Sequence, residues 1–96
     1  MPGRSSFTPE EATRIAAELG VDFATSGFDL EQFRMGLDVE LEHGRRDPIT
    51  NVTGDDPITT GRIALAHLHE IPDYYTRLAR MEAEAEAERA ARGTPA

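Results

Sequence analysis

Residues 36–57, "GLDVELEHGRRDPITNVTGDDP", end an apolar run in Glu40, Glu42 and His43 and continue into Asp, Asn and Thr. Carboxylates beside imidazoles could hold a metal ion or move a proton. A second such group, His67-Leu68-His69-Glu70, lies further along. Glu40 and His43 read E-x-x-H, and His67 and Glu70 read H-x-x-E. On a helix, residues three apart share a face, so each pair can aim a carboxylate and an imidazole at one point. If the two helices run antiparallel, His43 could sit level with His67 and Glu40 with Glu70. That would make a two-His, two-carboxylate site, Glu40, His43, His67 and Glu70, suited to zinc or iron.

Three features weigh against that site. His67 lies ten residues after Pro57, roughly 15 Å along a helix, and the loop before it would have to run back to cancel the offset. His67 also sits roughly 110° from the centre of its helix's apolar stripe, so it meets the other pair only if that helix is covered on both sides. His43 has a simpler role, since a His in a last helical turn bonds free carbonyls and complements the dipole. The structural role is therefore the leading expectation, with no bound cofactor, and zinc or iron the alternative. His69 lies at the edge of the stripe and reads as a boundary residue.

The loop "DPITNVTGDDP" offers Asp47, Asn51, Thr53, Asp55 and Asp56 as oxygen donors. Its spacing does not match a calcium loop, and Asx turns and helix capping explain these residues more simply. The chain has neither a Gly-rich phosphate loop nor a G-x-S-x-G elbow. Glu40, Glu42 and Glu70 with two His could supply general acid and base groups, and an enzyme built on them is the third and least favoured reading.

The elements that would position these groups are written clearly. "FTPEEATRIAAELG" reads as a helix with Thr8 as N-cap, Pro9 in the first turn and Glu11 completing a capping box. Gly20 stops it. A second helix begins at Asp29, carries Leu30, Phe33, Leu37 and Leu41 as its stripe, and is predicted to end at Gly44. Asp56 and Pro57 open a third, with Ile58, Leu65, Leu68 and Ile71 on one face and Gly61 and Ala64 allowing close approach. A fourth follows from about Pro72, with Tyr75, Leu78 and Ala79 facing inward. Tyr74 and Tyr75 anchor it to the bundle, and its Ala/Glu continuation should project and fray. No alternating strand pattern or internal repeat occurs. The expectation is an all-α bundle of about four helices with a long structured loop between the second and third. Residues 1–6 form a disordered N-terminus, 7–82 the helical domain and 83–96 a charged helical tail.

Composition bounds the function. With 96 residues the chain is one domain. It has no Cys, which excludes disulfides and thiolate chemistry. A net charge of −8 disfavours nucleic acid and anionic membranes, where Lys and Arg must face phosphate. Neither a signal peptide nor a membrane span is present in the sequence, so a cytoplasmic location is expected. The acidic charge fits solubility, a basic partner or a bound cation, its runs read first as solvated surface, and the partner expected is an unknown protein.

"FDLEQFRMGLDVELEHG", "TNVTGDDP", "IALAHL" and "PDYYTRL" together resemble a small family of uncharacterised bacterial and phage domains, known only as a domain of unknown function. The resemblance covers residues 7–82. It implies a compact helical domain and no activity. The family pattern includes Glu40, Glu42, His43, the Asn51–Asp56 loop, His67 and the Tyr pair. It allows other residues at His69, which argues against His69 as a ligand. The expected function is a small acidic accessory or protein-interaction domain, non-catalytic, with metal binding as the alternative.

Overall fold

The computed structural model of the chain describes residues 6–46 and 48–93, the side chains of 43–46 excepted. Four helices account for it: α1 (Pro9–Glu18), α2 (Leu30–Arg46), α3 (Pro57–Glu70) and α4 (Tyr74–Ala91). No strand occurs among the described residues. The fold is all-α, as the apolar periodicity predicts.

α1 begins and ends as its sequence dictates. The Thr8 hydroxyl accepts the Glu11 N–H at 3.1 Å, and the Glu11 carboxylate accepts the Thr8 N–H at 2.9 Å. At the other end Gly20 takes φ +76°. The Val21 N–H then reaches the Ala16 carbonyl and the Gly20 N–H the Ala17 carbonyl, satisfying two orphan acceptors. Asp38 and Arg34 of α2 hold the entry to α1. The Asp38 carboxylate accepts the Phe7 N–H at 2.7 Å, and Arg34 donates to the Phe7 carbonyl at 3.2 Å.

α2 is the central element and packs on each of the other three helices. Phe33 and Leu37 are fully buried, and Leu41 nearly so. The helix runs through Gly44 to Arg46, two residues past the predicted stop. Glycine permits a left-handed exit without imposing one. α3 crosses α2 with Ala64 against Gly36 and Gly61 near the Phe33 ring. Its start, Pro57 and Ile58, lies beside Phe7, which is tied to Asp38. Its exit, Pro72 and Asp73, lies beside Asp29 and Gln32 at the start of α2.

Small residues set how closely the helices approach. A Cβ at Gly36 would lie 3.0 Å from that of Ala64 and 2.5 Å from a ring carbon of Tyr75. A Cβ at Gly61 would meet Leu19 and Ile15 of the α1 side at 2.9 and 3.0 Å. The buried face of α3 is therefore Thr60, Gly61, Ala64 and Leu68, while Ile58 and Leu65 sit half-buried at its edge. This shifts the predicted face towards the small residues, because the tightest helix contact runs over them.

α4 starts at Tyr74 rather than Pro72, which lies in the intervening turn; there the Tyr74 N–H donates to the Ile71 carbonyl. Tyr75 is buried and Leu78 half-buried, but Ala79 is exposed, against expectation. Past Leu78 every described residue of the helix faces solvent. Eighteen residues at 1.5 Å each give roughly 27 Å of helix, exposed from Ala79 onward.

Candidate functional site

Three helices meet at the Glu40 carboxylate. Glu40 lies one turn after Gly36 on α2, and the bare backbone there lets the Tyr75 ring of α4 approach α2 closely. The Tyr75 hydroxyl donates to Glu40 Oε2 at 2.8 Å. His67 of α3 brings Nε2 within 3.6 Å of the same oxygen, too long for a hydrogen bond. The imidazole stacks on Tyr74, centroids 4.3 Å apart and 7° from parallel, and meets the edge of Tyr75 at 6.1 Å. His67 is thus covered by α2 on one side and α4 on the other, the two-sided cover that its position off the apolar stripe requires.

Burial, and then the Glu40 carboxylate, pushes the Tyr75 phenol far above its ordinary titration range. Tyr75 is therefore a permanent donor. Glu40 and Tyr75 are 8% and 1% exposed, so the bond between them is shielded from water. A buried carboxylate is tolerable when a fixed donor meets it.

Of the four predicted metal ligands, the fold brings Glu40 and His67 together. Glu70 is exposed in the last turn of α3, at the end that lies by the start of α2. The His43 side chain lies outside the described residues. Among the described residues no three His, Asp or Glu side chains converge as a metal group. His69 is exposed, its ring 6.2 Å from that of Phe28, consistent with a boundary residue. Neither the groove between α1 and α3 nor the bowl at the start of α2 reaches Glu40. The arrangement locks three helices together and opens onto no described cavity.

The loop before α3 spends its oxygens on itself. Asn51 Oδ1 accepts the Gly54 N–H at 2.9 Å, and Thr53 Oγ1 accepts the Asp55 N–H at 3.0 Å. Gly54 and Asp55 both take left-handed backbone, φ +60° and +63°. Asp56 caps α3 through the N–H and hydroxyl of Thr59, both at 2.8 Å. The fixed loop turns Ile49 and Val52 outward, 90% and 77% exposed.

Sequence reasoning missed the Tyr75–Glu40 bond. The signal was available: Glu40 lies three residues after Leu37 and seven after Phe33, on the buried stripe itself. A carboxylate there demands a donor, and Tyr75 carries one.

Residues 12–84 match the family model described as Protein of unknown function (DUF5661). The chain belongs to that family. No curated protein and no solved structure gives a match. The part of the DUF5661 domain matched runs from within α1 to Glu84, so it contains the Glu40–Tyr75–His67 junction and the base of α4 but not the projecting end. No helix among the described residues is long and apolar enough to cross a membrane.

Proposed function

We propose that this DUF5661 domain is a small acidic protein-interaction module without catalysis, acting on a basic protein partner. The supporting observation is the projecting half of α4. From Ala79 to Ala91 every residue is exposed, and the segment presents Glu82, Glu84, Glu86 and Glu88 beyond a docked base. Such a surface attracts basic partners and accelerates their encounter. The test is affinity capture from a lysate of the source organism at low and high salt. The full chain is compared with a variant carrying Glu→Gln at all four positions. The reading expects one retained protein, released by salt and lost with the variant. Retention equal in both chains, or nothing retained beyond the empty resin, would sink it.

A second reading rests on the approach of His67 to Glu40. Zinc or iron would be held by Glu40, His43, His67 and Glu70, the imidazoles neutral and the carboxylates ionised. A metal that binds the folded state raises stability by about 2.7 kcal/mol at a hundredfold excess over Kd. EDTA should then lower the melting temperature, and His67→Ala should remove that sensitivity. A melt unmoved by EDTA, zinc and iron, on protein that elemental analysis finds metal-free, excludes it.

A further inference from the structure

The segment before α1 is fastened to α2 by one pair of side chains. Phe7 is 3% exposed and shares a groove with Ile15 of α1 and Ile58 of α3. Both of its backbone polar groups end on α2: the N–H on Asp38 at 2.7 Å, the carbonyl on Arg34 at 3.2 Å. The Ser6 hydroxyl adds a bond to Asp38 at 3.1 Å. Arg34 itself pairs with Asp38 at 3.1 Å and is braced by two bonds to Glu31, at 2.9 and 2.6 Å. The capping box between Thr8 and Glu11 then couples this segment to the first turn of α1. α1 has ten residues, fewer than the roughly 12–15 that an isolated helix needs in water. It therefore stays helical by docking, through Ala12, Ile15 and Ala16, and through the segment before it. The Glu40 junction is made by the other three helices, with Tyr75 and His67 meeting one carboxylate.

We infer that Ser6 and Phe7 form a strap whose release lets α1 leave as a unit, while α2, α3 and α4 stay joined at Glu40. Cooperative units of this kind follow supersecondary boundaries and open below the free energy of global unfolding. Here the boundary is set by which helices share the buried junction. Once the strap lets go, α1 loses its fixed start and is too short to persist alone. Its departure uncovers Gly61, which faces Ile15 and Leu19 of the α1 side, and the Phe33 ring beside it. The strap is thus a conformational device that keeps an α2–α3 surface closed. It is independent of the acidic arm on α4.

The test is native-state hydrogen exchange on the full chain, followed by NMR and corrected for intrinsic exchange rates. Leu19 and Val21 report on α1, because their N–H groups bond Ile15 and Ala16 at the end far from the strap. Leu37 reports on α2 and Leu68 on α3. In the unmodified chain Leu19 and Val21 should share one opening and exchange at least tenfold faster than Leu37 and Leu68. Tyr75→Phe weakens the junction equally in the closed chain and in the chain with α1 released. It should speed Leu37 and Leu68 at least fivefold and leave Leu19 and Val21 unmoved. Asp38→Ala weakens only the closed form, by stranding the Phe7 N–H, so Leu19 and Val21 should speed at least fivefold. Tyr75→Phe accelerating all four amides alike would mean that α1 opens only with the whole fold. Leu19 and Val21 unmoved by Asp38→Ala would mean that the helix frays without the strap. Either result overturns the inference. So do equal rates at all four amides of the unmodified chain, a comparison that needs no variant to fold.

Discussion

α4 is one helix with two different reasons to exist. Its base, Tyr74 to Leu78, is held by contacts: Tyr75 against Gly36, the Tyr75 hydroxyl on Glu40, Tyr74 on His67 and Thr76 on Gln32. Its outer half is held by composition, because Ala, Glu and Arg favour helix and every described residue there is exposed. The docked first turns supply the nucleus that an isolated segment would have to form for itself. Stability is therefore concentrated at the base, and the outer half is free to present charge.

The largest expected effect is at the base. Tyr75→Ala removes a buried ring between three helices and should cost about 3–5 kcal/mol, measured by denaturant melts. Tyr75→Phe keeps the ring and deletes the donor to Glu40, and about 1–3 kcal/mol is expected. If both variants lose equally little, the base is not where α4 is fixed, and the contrast between its halves fails.

Gly36→Ala probes the same junction from α2. The added methyl would fall 2.5 Å from Tyr75 and 3.0 Å from the Ala64 Cβ. Overpacking of this kind costs about 1–3 kcal/mol, against about 1 kcal/mol regained from helix propensity. A net loss is expected, and Tyr75→Ala in the same chain should make the added methyl tolerable. A Gly36→Ala chain as stable as wild type would show that the helices can part without penalty.

Acid should act on the helix starts. The Arg34 hydrogen bond holds the Glu31 carboxyl below its usual range, the Thr59 N–H and hydroxyl do so for Asp56, and Arg77 does so for Asp73. A depressed carboxyl stabilises the fold above its unfolded value, near 3.9–4.3, and the gain is lost as pH falls through the folded value. Melting temperature should drop below about pH 4, and Asp56→Asn, which cannot titrate, should flatten part of that drop. All three groups are largely solvated, so the effect is small and shrinks in salt. A melting temperature that rises as pH falls from 5 to 3 would reverse the sign of this argument.

Much of this contrast was readable beforehand. Thr8, Glu11, Gly20, Asp56 and Pro57 set helix ends through local bonds, and local bonds are visible in a local sequence. The Ala/Glu run was legible as a projecting arm because it has no large apolar group to bury. The junction was legible only in part. Spacing put Glu40 and His67 on helices that could meet, but the register between α2 and α3 depends on Gly36 and Ala64 in contact, a property of two surfaces together. Tyr75 was recognised as an anchor, while its bond to Glu40 depends on where α4 crosses α2. The buried face of α3 was misplaced for the same reason: Gly61 and Ala64 are buried by approach rather than by hydrophobicity.

The smallest expected effect is at the far end. Truncation after Ala83 removes residues that are exposed wherever they are described and include no Val, Ile, Leu, Met or aromatic side chain. The buried area lost is slight, and surface changes of this sort stay within about 0.5 kcal/mol. Melting temperature should therefore hold, while helical circular dichroism falls by the share contributed by Glu84 to Ala91. The two readouts separate two ways of being wrong. If the dichroism does not fall, the outer half is not helical by propensity, and docking the base does not extend the helix beyond itself. If the melting temperature falls by several degrees, the outer half packs on something, and the first place to look is a second copy of the chain, detected as a change in mass by light scattering. If neither occurs, α4 is a docked base carrying a helical arm whose length can change without penalty to the fold, which is what a surface kept for a partner requires.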